Sequence, residues 1–419
     1  MNKTNILQNN IDSVVAILSP LKDKIKSNRK SINRLLHFFS FVSDFRERWK
    51  IKYKLENILC ICLLLSMKGE FTSFYNASIY IKVKAKEFKK LGLIEDNNIP
   101  SHDTLRRIFM YIDANELRNT LINRIKDFVY KLAESDKSYK DKTRLLSADG
   151  KTFNGSGRKN KFHNINVFNI LDASSSICIS STPLESKDSE IKEIQRLLPK
   201  YDLNNTIVTC DALHCQRKTA EIIVSKKGDY LFKVKDNQEA LKQEIINEFK
   251  KNRFEVIKRK HNKCYYQIIL LPHSFIGEDF PYQKAYIKMN SFKRNLKEDE
   301  LAEDQYFITS TNNVELIIEA IDNRWEIEGG LHWFKDDFNK EDECTFTNKN
   351  AIQVMATFNN ITYALYRIAS AIFDNQIMAE TRIRFKDHPE KMLYKLIPLL
   401  EKQNLSNLLK DNLKGYKKK

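Results

Sequence analysis

Leu55, Ile58, Leu59, Cys62, Leu63 and Met67 recur at steps of three and four, the spacing that lines up side chains on one face of a helix. The same alternation of apolar and polar positions continues through residues 46–135, which predicts an all-helical region. Residues 1–45 are more polar, helical in pattern, and carry a basic stretch from Lys22 to Arg34. Pro100-Ser101-His102-Asp103 stands before Thr104-Leu105-Arg106-Arg107-Ile108-Phe109. A proline followed by short polar residues marks a helix start, with Ser101 or Asp103 as the cap whose oxygen takes up a free backbone N–H.

Near residue 143 the period changes from helical to alternating. Arg144 to Ala148 reads as a strand ending at Asp149-Gly150. Val167 to Leu171 and Ile177 to Thr182 read as two more strands, with Asp172-Ala173-Ser174-Ser175 as the turn between them. Ile191, Ile194, Leu197 and Leu198 mark a helix, and Thr206 to Cys210 is a short apolar run suited to a strand buried on both faces. A helix near Gln216–Ser225, a strand over Tyr230–Val234 and a helix marked by Leu241, Ile245, Ile246 and Phe249 follow. The order β-β-β-α-β-α-β-α describes a layered α/β domain. Residues 254–310 are strand-rich, helical periodicity returns at Val314 and runs past Lys335, and a last helical block covers 350–373. The chain ends in a basic stretch, Lys414-Gly415-Tyr416-Lys417-Lys418-Lys419.

Composition narrows the class. With 42% apolar and 30% charged residues over 419 positions, the chain can bury more than one core. Lys+Arg 71 against Asp+Glu 54 leaves +17, a balance that suits a polyanion partner, nucleic acid first. The longest apolar run, Ile58 to Met67, is about half of what a bilayer-spanning helix needs, so no membrane partner is expected. The opening residues show no signal-peptide pattern. Seven cysteines without a Cys-x-x-Cys pair, four of them inside apolar runs, point to a reducing, cytoplasmic setting and no structural zinc.

Two features could carry chemistry. Asp149 and Asp211 each end an apolar strand, the place where open α/β sheets build their sites and where a carboxylate can hold a hard cation. A turn or cap aspartate is the plainer reading of either one. Arg324, Glu328 and Lys335 are spaced four and seven apart, with His332 beside them, so on a regular helix they form one stripe. That stripe suits a phosphate backbone beside a metal; taken alone it reads as readily as a surface helix laced with ion pairs. Of the other acids there, Glu326 and Asp337 would lie about 160° and 180° around such a helix from Glu328, and Asp336 about 80°. Arg106 and Arg107, opening a capped helix, are candidate DNA contacts or simply a solvated face.

The set resembles the DDE transposases of bacterial insertion sequences, and within them the H-repeat-associated branch. The carrying stretches are Ala148-Asp149-Gly150-Lys151-Thr152-Phe153-Asn154-Gly155-Ser156, Lys187-Asp188-Ser189-Glu190-Ile191, and Ile207 through Gln216. Gly228 through Gln238 and Arg324-Trp325-Glu326-Ile327-Glu328-Gly329-Gly330-Leu331-His332-Trp333 complete them, and the run from Leu55 to Phe109 resembles the helical domain that accompanies this core.

The resemblance implies an α/β fold: a ribonuclease-H-like mixed sheet flanked by helices, with a β-rich insertion near 254–310 and an N-terminal all-helical domain. The expected organisation is a 1–45 extension, a 46–135 helical domain, a 143–373 catalytic domain and a 374–419 helical basic tail. By motif, Asp149, Asp211 and Glu328 are the three catalytic carboxylates, holding two Mg²⁺ or Mn²⁺ ions. Arg324 and Lys335 match the R and K of the Y-R-E-K signature, although its tyrosine position is Ile321 here, and Lys260-His261-Asn262-Lys263 replaces the glycine-rich motif expected in the insertion. With His332, Lys151, Arg106 and Arg107 they are the expected DNA contacts. The implied reaction is metal-dependent cleavage and strand transfer on double-stranded DNA, element ends and target alike, by a homodimer on paired ends in the cytoplasm, associated with the nucleoid. The competing readings are a catalytically inactive DNA-binding relative and a plain nuclease.

Overall fold

The computed structural model describes residues 27–95, 98–135, 142–158, 164–184, 189–262, 264–273, 280–291, 303–375 and 377–401, with a few isolated positions besides. Lys187-Asp188, Lys263 and the basic end of the chain lie outside the described residues. In chain order, helices α1 (Ser31–Phe39), α2 (Leu55–Lys68), α3 (Phe74–Val83), α4 (Ala85–Lys90), α5 (His102–Tyr111) and α6 (Ala114–Ser135) come first. Strands β1 (Arg144–Phe153), β2 (Ile165–Asp172) and β3 (Ile177–Pro183) follow, then α7 (Glu190–Leu197), β4 (Thr206–Cys210), α8 (Arg217–Ser225), β5 (Asp229–Val234) and α9 (Glu239–Lys251). Strands β6 (Val256–His261), β7 (Cys264–Leu270), β8 (Ala285–Ser291) and β9 (Gln305–Thr309) precede α10 (Val314–Trp325) and a π-helical turn over Glu326–His332. Helices α11 (Trp333–Asp337), α12 (Lys349–Phe373), α13 (Met378–Phe385) and α14 (Pro389–Leu396) complete the order. The described residues form two compact units, 1–142 with 151–185 and 329–419, and 143–150 with 186–328.

The first unit is mainly helical. Its α2 is apolar almost all round and buried from Leu55 to Lys68 apart from Glu56 and Asn57, so it sits inside the unit rather than on its surface. Helix α12, also buried along most of its length, packs against α2, α5, α6 and β3. Ser66 Oγ of α2 lies 2.9 Å from both Asn359 Oδ1 and Thr362 Oγ1 of α12, so the polar groups of this interior satisfy one another. Helix α5 starts as its sequence predicts, and Ser101 is the cap, its Oγ accepting the Thr104 N–H at 3.3 Å. It buries Leu105, Ile108 and Phe109, which turns Arg106 and Arg107 outward.

The second unit is built on a mixed sheet flanked by helices. Its strands lie in the order β1-β4-β5-β9-β8-β7-β6. The pairs β1–β4 and β4–β5 are parallel and the remaining ones antiparallel. Every residue of β4 is buried, as its unbroken apolar run requires, with α10 packed over it and β5. The strand-rich stretch expected over 254–310 supplies β6 to β9, and β9 carries the sheet on from β5.

One expectation is corrected. The helix read as regular from Val314 past Lys335 is α-helical only to Trp325, and Glu326–His332 makes a π turn. Gly329-Gly330 is the physical reason: neither residue has a side chain to hold an α turn closed, and the wider i→i+5 pattern takes over. Counting about 100° per residue across this turn does not hold.

Candidate functional site

Strand register brings the first two acids together. In the parallel β1–β4 pair, Ala148 is opposite Cys210, so the next residues along the two chains are Asp149 and Asp211; β1 runs on to Phe153 rather than ending at Asp149-Gly150, which leaves Asp149 inside its strand and Asp211 just past the end of β4. Each is tied locally: Asp149 Oδ1 accepts the Gly150 N–H at 2.9 Å, and Asp211 Oδ1 accepts the Leu213 N–H at 3.0 Å as cap of the turn Ala212–His214. Cys210 in turn is opposite Phe232 of β5, which puts Lys233 one step along the row from Asp211.

Glu328 joins them from the π turn. Its Oε1 accepts from Arg324 Nη1 at 3.1 Å, and the Arg324 guanidinium lies over the Trp325 ring, 4.5 Å from its centre. Arg324 is buried while Glu328 is half exposed, so the carboxylate faces outward from a fixed cation.

The electrostatics register this grouping. Burial, then the charges of Asp211, Glu328 and Glu190, push the Asp149 carboxyl up to about 7. Burial, then Arg324 and Lys235, bring the Lys233 ammonium down to about 8, with Glu328 and Asp211 working the other way. Lys233 also donates to Gln305 Oε1 at 2.7 Å. The site thus holds Asp149, Asp211, Glu328 and Glu190 with Arg324 and Lys233, all in the second unit.

Its donors are carboxylates, the oxygen ligands that suit Mg²⁺ or Mn²⁺ rather than zinc. Among the described residues no three His, Cys, Asp or Glu side chains stand close enough together to grip an ion as they are. The repulsion felt at Asp149 is nonetheless what a divalent cation would relieve, so the donor set fits such an ion in kind.

Three expected DNA contacts lie elsewhere, in the interior of the first unit. Lys335 is fully buried and donates to Asn169 Oδ1 at 3.2 Å. His332 is also buried, 3.3 Å from Asn169 Nδ2, and burial with the nearby charges of Lys335 and Lys151 holds it neutral, far below its ordinary value. Lys151 spends its charge on Asp336 at 2.6 Å, Asp342 at 3.4 Å and Glu341 at 3.5 Å. Burial works against that ammonium, but the three acids outweigh it and hold its proton tightly. None of these three side chains is presented to solvent. Arg106 and Arg107 are exposed, Arg106 beside Asp103 at 3.4 Å and lining an open groove of about 1020 Å³ with Tyr75 and His102.

Sequence reasoning missed Lys233 and Glu190. Lys233 had a signal, a lysine inside the apolar run Tyr230–Val234. Glu190 lies in the family stretch Lys187-Asp188-Ser189-Glu190-Ile191, but an acid in a helix's first turn is ordinary and nothing local marks it as part of the site.

Comparison with known proteins gives the family. A family model described as "Transposase DDE domain" matches residues 135–365, more than half of the chain, and one described as "DDE_Tnp_1-associated" matches 36–124. The chain belongs to the DDE transposase family. It is 27% identical to the protein YbfL of Escherichia coli K12 over 351 residues, 79% of this chain and 89% of that one. The "H repeat-associated putative transposase YhhI" of the same strain is 26% identical over 351 residues, again 79% of this chain and 89% of the relative. The piggyBac transposase in its synaptic complex with hairpin DNA aligns over 98% of this chain and 86% of its own, at 11% identity and a TM-score of 0.41. The mixed sheet flanked by helices and the helical N-terminus are the architecture that the resemblance implies. Among the described residues no helix is long and apolar enough to cross a membrane.

Proposed function

We propose that this chain is an active transposase that cuts DNA at the ends of an insertion sequence and joins them to a target, with Asp149, Asp211 and Glu328 as its metal-holding carboxylates. The observation that carries the reading is the register of β1 against β4, which sets Asp149 and Asp211 side by side. Glu328 bears electrostatically on Asp149 from the same unit.

Phosphodiester chemistry needs an oxygen nucleophile, a stabilised leaving oxygen and a neutralised phosphate. Two divalent ions, when bound, supply Lewis acidity to the attacking and leaving oxygens. The chain's own residues do the rest. Arg324, braced by Trp325, and Lys233, braced by Gln305, set two positive charges beside the acids, where a backbone phosphate can be held. In the first step water attacks phosphorus and the 3′ oxygen leaves as a hydroxyl. In the second, that hydroxyl attacks a target phosphodiester and the target's own 3′ hydroxyl leaves, one ester bond exchanged for another with no outside energy. The substrate is double-stranded DNA, engaged through a basic surface that includes Arg106 and Arg107, and pairing of two ends calls for a dimer.

The test is an assay with duplexes carrying the element ends, a target plasmid and Mg²⁺ or Mn²⁺. Cleaved and joined products are expected. Asp149→Asn, Asp211→Asn and Glu328→Gln should each lose cleavage by at least about a hundredfold while still binding DNA. Glu326→Gln should keep it. Binding without cleavage by the unaltered chain would make it an inactive DNA-binding relative; cleavage without joining would make it a nuclease. Loss in Glu326→Gln with activity kept in Glu328→Gln would move the third carboxylate.

A further inference from the structure

Glu190 opens helix α7, and there a carboxylate ordinarily points into water toward the free backbone N–H groups. This one does not. Its side chain is 7% exposed. It lies against Gly150, the residue after Asp149: a Cβ built on Gly150 would fall 2.6 Å from Glu190 Cδ and 2.8 Å from Oε2. A side chain at position 150 would therefore have to displace this carboxylate, which fills the space it would occupy.

No lysine or arginine pairs with this buried acid among the described residues, and its carboxylate accepts no hydrogen bond from them. Nε2 of His214 lies 3.6 Å from Oε2, longer than a hydrogen bond. His214 is itself fully buried on the turn that follows Asp211, and the same nitrogen lies 4.0 Å from Asp211 Oδ1. One imidazole thus spans two acids. A carboxylate taken out of water among other carboxylates is unfavourable unless a cation completes the set.

We propose that Glu190 is a fourth carboxylate of the metal site formed by Asp149, Asp211 and Glu328. The inference rests on the transposase reading given above and adds a ligand to that site. It makes Gly150 a requirement of the site, since any larger residue there displaces Glu190.

Manganese binding to the full-length protein, followed by the loss of the free-ion paramagnetic resonance signal, tests this without relying on DNA cleavage. Glu190→Gln keeps the shape and removes a buried charge, so the metal-free protein should melt at the same temperature or higher, while its Mn²⁺ affinity falls at least about tenfold. Glu193→Gln removes the same charge from the same helix, where it pairs with Arg196, and should leave affinity unchanged. Glu190→Asp keeps the charge on a shorter arm and should weaken Mn²⁺ binding less than the glutamine does; it serves if the glutamine variant does not fold. Undiminished Mn²⁺ affinity in a folded Glu190 variant, with the unaltered protein binding the ion, overturns the role of Glu190 alone. No Mn²⁺ binding by the unaltered protein overturns the three-carboxylate site and this addition together.

Discussion

At the scale of single residues, Asp149 is where burial and repulsion meet. Its ordinary value is 3.8 and the folded chain raises it to about 7, through burial and then Asp211, Glu328 and Glu190. Between those two pH values the folded protein keeps a proton that the unfolded chain has released. The contribution of Asp149 to the stability of the metal-free protein therefore falls as pH rises from about 4, and its loss is complete above about 7. Asp149→Asn removes that dependence. The variant should be more stable than the parent in the absence of metal at pH 8, by on the order of 2 kcal/mol, and the gap should close below pH 4. Urea unfolding of both proteins in chelator across this range measures it. A parent whose stability rises steadily from pH 4 to 8 at this site would contradict the environment described for Asp149.

At the scale of elements, α2 depends on how it stops. Gly69 takes the left-handed conformation with φ 72°, and its N–H closes the last turn onto Ser66 O at 3.0 Å. A side chain there would meet two penalties, the left-handed backbone and the carbonyl oxygen of Phe338, into which its Cβ would run. Gly69→Ala is expected to destabilise the protein by about 2–4 kcal/mol, read as a lower denaturant midpoint with unchanged slope. The π turn over Glu326–His332 is a second element whose geometry matters beyond itself. It carries Glu328 to the acids of the second unit, while Lys335, beyond it, is buried in the first. The signature's arginine and lysine are therefore both buried but in different surroundings, the arginine against Glu328 and Trp325 and the lysine against Asn169.

At the scale of the molecule, +17 of formal charge sets how it meets a polyanion. Each phosphate neutralised on duplex DNA contributes about −0.9 to the slope of log affinity against log salt. Arg106 and Arg107 stand exposed on α5, with Tyr75 and His102 beside Arg106 around the groove. If both reach phosphates, replacing the two by alanine should weaken binding to any duplex about equally and make the slope shallower by about 1–2. Filter binding or fluorescence anisotropy from 50 to 300 mM salt reads both quantities. An unchanged slope would take these arginines off the DNA-contacting surface.

The order of strands and helices was legible because each element carries its own period. The unbroken run of β4, the alternation after residue 143 and the polar cap before α5 are local facts, and local facts survive in sequence. Asp149 and Asp211 stand out in the sequence because each closes an apolar run, and Glu328 because it falls in a motif; the metal-holding role of all three is a proposal. What the sequence alone could not decide depended on partners distant along the chain. The stripe of Arg324, Glu328 and Lys335 assumed a regular helix, and Gly329-Gly330 let the backbone open into a π turn instead. Lys335, His332 and Lys151 are expected as DNA contacts because the sequence cannot show that Asn169, or Asp336 with Glu341 and Asp342, lies beside them in the interior. Lys233 and Glu190 gained their meaning only from register and packing, one as the neighbour of Asp211 across two parallel strands, the other as the side chain that fills the space left by Gly150. Periodicity and motif are properties of neighbours along the chain and determined the elements; charge environment is a property of neighbours in space, and only the tertiary structure decided it.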